Sequence, residues 1–254
     1  MPPSKSTRIA DALREEIARG VFKAGDRLPS EADLTSRFGV SRPTIRAALA
    51  KLVNEGLVVS ETGRGSFVRE RTVLTYHAER AERVKGRSET DAYVSEVQEE
   101  GRAPKQDFSM HIEPASTEVA VRLNVDEGSL VVVRRCFRYV DGQPWSDQDS
   151  YYPMDIAEAA GLVTPKDIPE GTIRAMAKAG HDEVGHVDEI TARMPTPAEA
   201  QVLDIGAGTP LLVYSRTAHS DKRPVRLTRT LFPADRNRIT YELGDLSALA
   251  GEPA

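Results

Sequence analysis

Residues 28–56 contain two helix starts and two helix ends in quick succession, and no other part of the chain restricts the fold as strongly. Ser30, with Asp33 three residues later, forms a capping-box pattern, and Gly39 is the residue type that favours a left-handed helix end. Ser41 then precedes a second apolar stripe with helical spacing. Two short helices joined by a tight glycine turn are typical of a helix-turn-helix unit.

A further helix precedes this unit, and a short hairpin follows it. Apolar residues recur at every fourth position in residues 9–17 and predict the helix. Strand-like runs at 57–59 and 66–68 flank the glycine-rich turn SETGRG, which places Arg64 at its tip. Three helices and a two-stranded wing with a basic tip are the winged-helix design, and such a tip suits the narrow minor groove of DNA.

The start of the third helix carries side chains that suit DNA recognition. Arginine suits guanine O6 and N7, while hydroxyls and helix N-terminal N–H groups suit phosphate. The pattern therefore predicts base contacts from Arg42 and Arg46. An ordinary helical hairpin with solvated arginines explains the helices equally well, and the wing favours the DNA-binding interpretation. Phosphate contacts are predicted from four other basic residues: Lys5, Arg8, Lys51 and Arg64.

Charge is distributed unevenly along the chain. Residues 1–70 hold 12 basic and 9 acidic residues, whereas residues 71–254 hold 22 basic and 30 acidic ones. A basic end on an acidic body favours a polyanion-binding module that is joined to a domain of another kind. A length of 254 residues leaves room for two small domains.

Residues 8–69 resemble the winged-helix domain of the GntR family of bacterial transcription regulators. The resemblance rests on LPSEADLTSRFGVSRPTIRAALAKLVNEGLV at 28–58 and on GRGSFV at 63–68. One position departs from the family, because Ala32 stands where an arginine is common, so we expect one base-reading contact to be missing. Ser41 is a further predicted DNA contact, because it lies at the exposed start of the third helix. The resemblance implies DNA contacts from Ser30, Arg42, Thr44, Arg46, Gly63, Arg64 and Gly65.

The rest of the chain contains an internal repeat at an offset of 80 residues. Each copy reads strand, helix, glycine turn, strand, polar turn and strand. This order predicts two βαββ units related by a pseudo-twofold, since a solenoid needs three or more repeats. Coincidence among turn residues is the alternative. The matched pairs are Leu123 with Leu203, Gly128 with Gly208, Ser129 with Thr209, Val133 with Val213, Pro144 with Pro224, and Pro153 with Pro233.

Residues 104–243 resemble the UTRA effector-binding domain of the HutC subfamily within GntR. The sequence anchors of this resemblance are GSLVVVRRCFRYVDGQP at 128–144, GTPLLVYSRT at 208–217 and RPVRLTRTLFPADR at 223–236. The two resemblances together imply an α+β chain. Its N-terminal part is a winged helix-turn-helix domain, and its C-terminal part is a chorismate lyase-like α/β domain with an antiparallel sheet and a small-molecule cleft.

The expected domain organisation follows from both resemblances. The DNA-binding domain occupies residues 1–70, a polar and charge-rich linker occupies 71–88, and an effector-binding and dimerisation domain occupies 89–254. Near the start of that last domain, the sequence predicts a helix around Asp91–Glu100.

Strand alternation predicts which side chains of residues 130–138 share one face of the sheet. Arg134, Cys136 and Arg138 lie on the same face and are predicted to contact the effector, whereas Arg135 lies on the other face. In the UTRA family an Arg-x-Arg pair binds the anionic part of the effector. Here Arg138 matches one of these arginines, and Cys136 stands in place of the other.

Three further effector positions differ from the family pattern. Gln148 replaces an acidic residue, Arg226 replaces a glutamate, and Phe232 replaces a residue with a ring hydroxyl. We expect Arg138 and Arg226 to converge on one cleft without a matching carboxylate. The resemblance therefore predicts an anionic or apolar effector rather than an amino-sugar phosphate. The alternative is that these arginines lie at the rim and pair with surface acids.

Residues that often carry other chemistry give weaker patterns. Cys136 is the only cysteine, which excludes an internal disulfide and a cysteine-based zinc site. A buried strand position is favoured for it over a redox sensor. His181 and His186 are five residues apart, a spacing that one helix face does not present, so we interpret the segment as a solvated loop that leads into a strand. We expect no cofactor and no metal, and we expect Trp145 in the core.

The sequence predicts a cytoplasmic, homodimeric transcription regulator that binds a near-palindromic operator in double-stranded DNA and responds to a small molecule. The resemblance to the GntR family favours a repressor over an activator. No apolar run approaches the ~18–20 residues of a membrane helix, and no signal-peptide core is found. A lyase-like enzyme is one alternative, although Asp147 and Asp149 lack a nucleophile and base around them. A DNA-binding dimer with a vestigial cleft is the other.

Overall fold

The chain folds as two compact units in a computed structural model. The first unit contains the described part of residues 1–73 together with two later segments, 193–211 and 233–236, and the second contains the rest. The predicted linker lies largely outside the described residues, so the domain borders at 70 and 88 stay predictions. The structure describes residues 3–61, 63–69, 73–78 and 89–242.

The first unit begins with three helices and a hairpin, as predicted for a winged helix. Strands β1 and β2 are antiparallel, with Ser60 opposite Ser66. The apolar stripes of the three helices meet in one core, in which Leu13, Leu34 and Ile45 are fully buried. The elements are α1 (Lys5–Ala18), α2 (Glu31–Phe38), α3 (Arg42–Asn54), β1 (Val58–Glu61) and β2 (Gly65–Val68).

Local signals set the ends of α2 and the start of α3. Ser30 and Asp33 form the predicted capping box, in which each side chain accepts a hydrogen bond of 3.2 Å from the other residue's backbone N–H. Gly39 ends α2 in the left-handed conformation, with φ of 62°. Ser41 precedes α3 as predicted, but its hydroxyl lies 3.0 Å from Thr44 Oγ1 instead of capping a backbone N–H. The Ser41 hydroxyl therefore remains at the exposed start of the helix.

Among the described residues of the second half, six strands form one sheet in the order β4-β5-β6-β9-β8-β7, and β3 pairs in parallel with β10. The elements are, in chain order, β3 (Leu74–His77), α4 (Glu89–Glu99), β4 (Pro104–Pro114), α5 (Thr117–Leu123), β5 (Leu130–Val140), β6 (Gln143–Pro153), α6 (Met154–Ala159), α7 (Thr172–Lys178), β7 (Gly185–Arg193), α8 (Pro197–Val202), β8 (Leu211–His219), β9 (Pro224–Pro233) and β10 (Asn237–Thr240).

The strand order confirms the predicted internal repeat. The first copy is β4-α5-β5-β6 and the second is β7-α8-β8-β9, and both copies run from an edge of the sheet to its centre. There β6 and β9 pair in antiparallel register. The matched residues Leu123 and Leu203 are both fully buried at the ends of α5 and α8. The chain therefore uses the same local design twice in one sheet.

The register of the central strands aligns polar side chains. Cys136 of β5 lies opposite Gln148 of β6, which lies opposite Thr230 of β9. Ser150 of β6 likewise lies opposite Thr228. Because directly opposed residues point to the same face of a sheet, a polar strip crosses three strands.

Two smaller predictions concern α4 and the core. The helix predicted around Asp91–Glu100 is α4, and the predicted core position of Trp145 is confirmed, because it packs with Leu74, Val97 and Val140. In the part of the chain that the structure describes, no helix is both long and apolar enough to cross a lipid bilayer.

The buried face of α5 gives a test of the fold. Leu123→Ala removes a fully buried side chain and should lower the free energy of unfolding by about 2–5 kcal/mol. Val121→Ala on the same helix is the matched control, because 77% of Val121 is exposed, and should change it by less than about 0.5 kcal/mol. Urea unfolding followed by circular dichroism measures both. Equal effects would contradict the assigned face of α5.

Candidate DNA-binding surface and effector cavity

The start of α3 presents both predicted base-reading arginines, which differ in their side-chain partners. Arg42 is exposed and has no side-chain partner among the described residues. Arg46 is held by Glu31 of α2, with Nε 2.9 Å from Oε1. Because 71% of the Arg46 side chain is exposed, such a pair contributes only about 0–1 kcal/mol. Arg42 can therefore contact DNA directly, whereas Arg46 must first leave a weak partner.

The wing holds its basic tip on a turn that requires glycine. Gly63 and Gly65 have φ of 78° and 119°, which only glycine adopts without strain. The Arg64 guanidinium carbon lies 5.7 Å from the ring centroid of Phe67. A Cβ at Gly65 would lie 2.9 Å from Arg27 Nε, and Arg27 also forms a β-bridge with Phe67. Arg27 thus supports the wing, which no sequence pattern indicated.

Four other predicted DNA-contacting residues also differ in their surroundings. Lys5 and Arg8 are exposed on α1. Lys51 Nζ donates a hydrogen bond of 2.5 Å to Thr7 Oγ1, and Ser30 takes part in its capping box. Lys51 and Ser30 therefore stabilise the winged helix itself, while Lys5 and Arg8 remain open to a phosphate group.

A small polar cavity lies on the sheet face that the alternation of β5 predicts. Its volume is about 50 Å³, and β5, β6 and the segment that leads into α7 line it. Four of the six predicted effector residues line this cavity, and all four are buried: Arg134, Cys136, Arg138 and Gln148.

Arg138 is part of a buried polar network across the sheet. Its guanidinium donates a hydrogen bond of 2.9 Å to Gln148 Oε1, and the Thr230 hydroxyl lies 3.4 Å from the same oxygen. The Ser150 and Thr228 hydroxyls are 3.1 Å apart. An acid at position 148 would bring a negative charge to the guanidinium, whereas the glutamine accepts a hydrogen bond without adding a charge.

Tyr93 of α4 covers Arg138. The guanidinium carbon lies 5.2 Å from the ring centroid, which is within the range of a cation–π contact. The Tyr93 hydroxyl donates a hydrogen bond of 3.1 Å to the carbonyl oxygen of Tyr139. Burial raises the pKa of this hydroxyl, and the charge of Arg138 offsets only part of the rise. Tyr93 therefore stays a neutral donor. The sequence patterns missed it because α4 and β5 are distant in sequence.

Arg134 fixes a loop beside the cavity. Its guanidinium donates hydrogen bonds to the carbonyl oxygens of Leu162 at 3.0 Å, of Lys166 at 2.7 Å, and of Thr164. The next residues, 167–168, line the cavity. Charge-assisted bonds of this kind are stronger than neutral ones, so Arg134 sets the position of this wall as well as contributing charge.

The other two predicted effector residues lie elsewhere. Arg226 is 1% exposed, and its Nε lies 3.0 Å from Glu183 Oε1. A carboxylate thus compensates Arg226, contrary to the expectation of an arginine pair without a matching acid. Phe232 packs against Tyr76 with ring centroids 5.3 Å apart, beside a second cavity of about 30 Å³. The structure does not bring these two residues to the first cavity.

The remaining candidate residues have structural surroundings. His186 Nε2 lies 3.6 Å from Asp188 Oδ2, and Asp188 in turn pairs with Arg216 at 2.8 Å. Cys136 is 5% exposed, which confirms its predicted burial. Within the described ranges, no group of three or more His, Cys, Asp or Glu side chains is placed to hold a metal ion.

A winged helix with an open arginine on its reading helix, carried in one chain with a duplicated sheet that holds a polar cavity, defines a ligand-responsive DNA-binding regulator. Residues 5–68 match the family described as bacterial regulatory proteins, gntR family. Residues 99–238 match the UTRA domain. The chain belongs to the GntR family and, through its UTRA domain, to the HutC-like subfamily, as the sequence predicts.

Similar proteins extend along nearly the whole chain. An HTH-type transcriptional regulator of Rhizobium meliloti is 32% identical, over 92% of this chain and 93% of its own. The histidine utilization repressor of Pseudomonas putida is 28% identical, over 94% of this chain and 91% of its own. A crystal structure of a GntR-family transcriptional regulator has a TM-score of 0.60 at 25% identity, with 95% of this chain and 98% of the other covered. The chain is therefore a transcription regulator and not an enzyme, which removes the lyase alternative.

The loop held by Arg134 gives a test of the cavity wall. Arg134→Ala removes charge-assisted hydrogen bonds to three carbonyl groups of the loop, and it should destabilise the protein by about 1.5–3 kcal/mol. Lys166→Ala is the matched control, because the backbone carbonyl and not the side chain of Lys166 is the acceptor. Hydrogen exchange of residues 160–170 should accelerate in the first variant alone. Unchanged exchange there would show that Arg134 does not hold the loop.

Proposed function

We propose that the protein is a homodimeric repressor in the cytoplasm, which binds a near-palindromic operator and is released by a small anionic metabolite. The observation that carries the proposal is one chain with an exposed Arg42 on its reading helix and a sheet cavity lined by Arg134 and Arg138. The name of the Pseudomonas putida relative supports repression. Two subunits supply two reading helices, for half-sites about one DNA turn, ~34 Å, apart.

Arg42 is the residue that we assign to base reading. It lies in the first turn of α3 and has no intramolecular partner to lose among the described residues. A bidentate contact with guanine O6 and N7 therefore gains its full hydrogen-bond energy. Arg46 would exchange Glu31 for a base, which reduces its net gain. Phosphate contacts would come from Lys5, Arg8 and Arg64, and from Lys51 if it exchanges Thr7 for a phosphate group. The other proposed DNA contacts are Ser30, Ser41, Thr44, Gly63 and Gly65.

Arg42→Ala tests the base-reading role. The variant should lose about 1–3 kcal/mol of binding free energy on an operator duplex, because a bidentate base contact is removed. Its affinity for a scrambled duplex should change little. Arg19→Ala is the control, since Arg19 is an exposed arginine at the end of α1 in the same unit. Fluorescence anisotropy with duplexes that the wild-type protein selects from a random pool measures both affinities.

An equal loss on both duplexes would show that Arg42 contacts only phosphate. Salt titration separates the two roles as well, because a lost phosphate contact lowers the slope of log K against log salt by about one unit. A base contact leaves that slope nearly unchanged.

The effector class follows from the charges that line the cavity. Arg134 is bonded to carbonyl oxygens, and Arg138 to an amide oxygen where the family pattern has an acid. Both side chains are buried, where an anion interacts with a guanidinium more strongly than in water. Three arginines and one acid, Asp167, line the cavity, so a carboxylate or phosphate group fits this lining better than a cation or an amine does. The residues assigned to the effector are Arg134, Cys136, Arg138 and Gln148.

Arg138→Ala tests the effector role. In the wild-type protein, a carboxylate or phosphate ester from a panel of small metabolites should raise the melting temperature and release the selected duplex. The variant should bind the duplex as the wild type does but no longer respond to that compound. Differential scanning fluorimetry and anisotropy measure the two effects.

Gln148→Glu provides a second variant that keeps the shape of the side chain. Its carboxylate would accept the hydrogen bond that Arg138 now gives to Gln148, and the internal pair should suppress the response to the anion. Loss of DNA binding without ligand in Arg138→Ala would make Arg138 a structural residue. A panel without any active anion would favour the dimer with a vestigial cleft.

A further inference from the structure

The C-terminal end of α3 is completed by a segment that is distant in sequence. The Gly208 N–H donates a hydrogen bond of 2.8 Å to the carbonyl oxygen of Asn54, the last residue of α3. Residues 204–209, which we call the helix seat, belong to the first compact unit, although they connect α8 to β8 in the sequence. The last carbonyl groups of a helix lack intrahelical donors, so the seat supplies a donor that α3 lacks.

Two glycines allow the seat to approach the helix. A Cβ at Gly206 would lie 2.6 Å from the carbonyl oxygen of Val53 and 2.9 Å from that of Asn54. A Cβ at Gly208 would overlap the Asn54 carbonyl group. Neither glycine lies in the left-handed region of φ. Close packing against α3, and not an unusual backbone conformation, therefore requires glycine at both positions.

Residues just after α3 and β2 also lie close to the seat or to Asp235. Gly56, just after α3, has φ of 69°, and a Cβ there would lie 2.8 Å from Thr209 Oγ1. Thr209 is 2% exposed. The Asp235 carboxylate lies 3.5 Å from Arg69 Nη1, one residue after the wing strand β2, and 3.2 Å from Arg236 Nε. Both the reading helix and the base of the wing are thus held in the same small region.

The internal repeat distinguishes this use of glycine from an ordinary turn. Gly128 is the counterpart of Gly208 at the offset of 80 residues. It has φ of 81°, and nothing lies within 4 Å of the place where its Cβ would be. Gly128 is therefore needed for the positive φ of a turn. Gly208, at the same position of the second copy, is needed for close packing against α3.

We propose that Gly206 and Gly208 are positioning residues for DNA recognition, because they fix the end of α3 opposite to Arg42. With 13 residues, α3 is ~20 Å long at 1.5 Å per residue. A short helix moves as a rigid rod, so displacement at Asn54 also displaces Arg42. A bidentate contact with a base edge tolerates little misplacement. The proposal deepens the DNA-binding function and rests on it.

The experiment compares three full-length variants with the wild type. Gly208→Ala and Gly206→Ala introduce a Cβ against the end of α3. Gly185→Ala is the matched control, because Gly185 is exposed, has ordinary φ and has nothing within 4 Å of an added Cβ. Anisotropy measures affinity for a duplex selected by the wild type and for a scrambled duplex. Hydrogen exchange of the backbone amides of residues 51–57 measures how well the seat protects the end of α3. Thermal unfolding measures global stability.

Gly208→Ala and Gly206→Ala should weaken binding to the selected duplex about tenfold, as expected when a pre-organised binding geometry is lost. Binding to the scrambled duplex should change less than about twofold, since phosphate contacts tolerate reorientation. Exchange in residues 51–57 should accelerate in both variants. The control should match the wild type in all measurements.

Faster exchange with unchanged affinity for the selected duplex would overturn the proposal, since the seat would then stabilise the fold only. Tighter binding to that duplex would overturn it too, because the seat would then restrain α3 away from DNA. If Gly208→Ala does not fold, the less severe Gly206→Ala variant decides. A wild-type protein that selects no duplex, yet protects residues 51–57, would refute the DNA-binding function and the proposal with it.

Discussion

Antiparallel pairing between β6 and β9 joins the two repeat copies into one sheet, and the polar strip beside the cavity depends on that pairing. Gln148 meets Thr230, and Ser150 meets Thr228, across the junction. Arg138 reaches this polar strip through its hydrogen bond to Gln148. Buried charge is costly unless neighbouring groups supply hydrogen bonds. The hydrogen-bonding groups of both halves of the duplicated fold therefore surround the buried charge of Arg138.

Features with short-range signals could be predicted from the sequence. The capping box at Ser30 and the left-handed Gly39 depend on residues within one helical turn. The wing depends on two strand-like runs with glycines between them, and the repeat depends on a fixed offset that one sequence shows by itself. The face of β5 was predictable as well, because alternation is a property of a single strand. Arg134, Cys136 and Arg138 consequently share a cavity as expected.

Features that need a distant partner could not be predicted in this way. Arg226 was assigned to the cleft because its position matches a family site, but Glu183, 43 residues earlier, neutralises it. Tyr93 covers Arg138 from a helix that no pattern linked to β5. Gly208 looked like a turn glycine, since its repeat counterpart is one, and only the neighbouring end of α3 reveals its contact. Each case depends on which segments meet, and a local pattern contains no information about that.

The partner of each arginine decides what that arginine can do. Arg42 has no side-chain partner among the described residues, so solvent surrounds it and a DNA base can replace water at little cost. Arg226 is buried with the carboxylate of Glu183, and breaking such a pair leaves an isolated buried charge, so it serves the fold. Arg134 is buried with carbonyl oxygens, which satisfy its donors but carry no full charge. Arg134 therefore holds the cavity wall through hydrogen bonds alone, and those bonds do not cancel its charge.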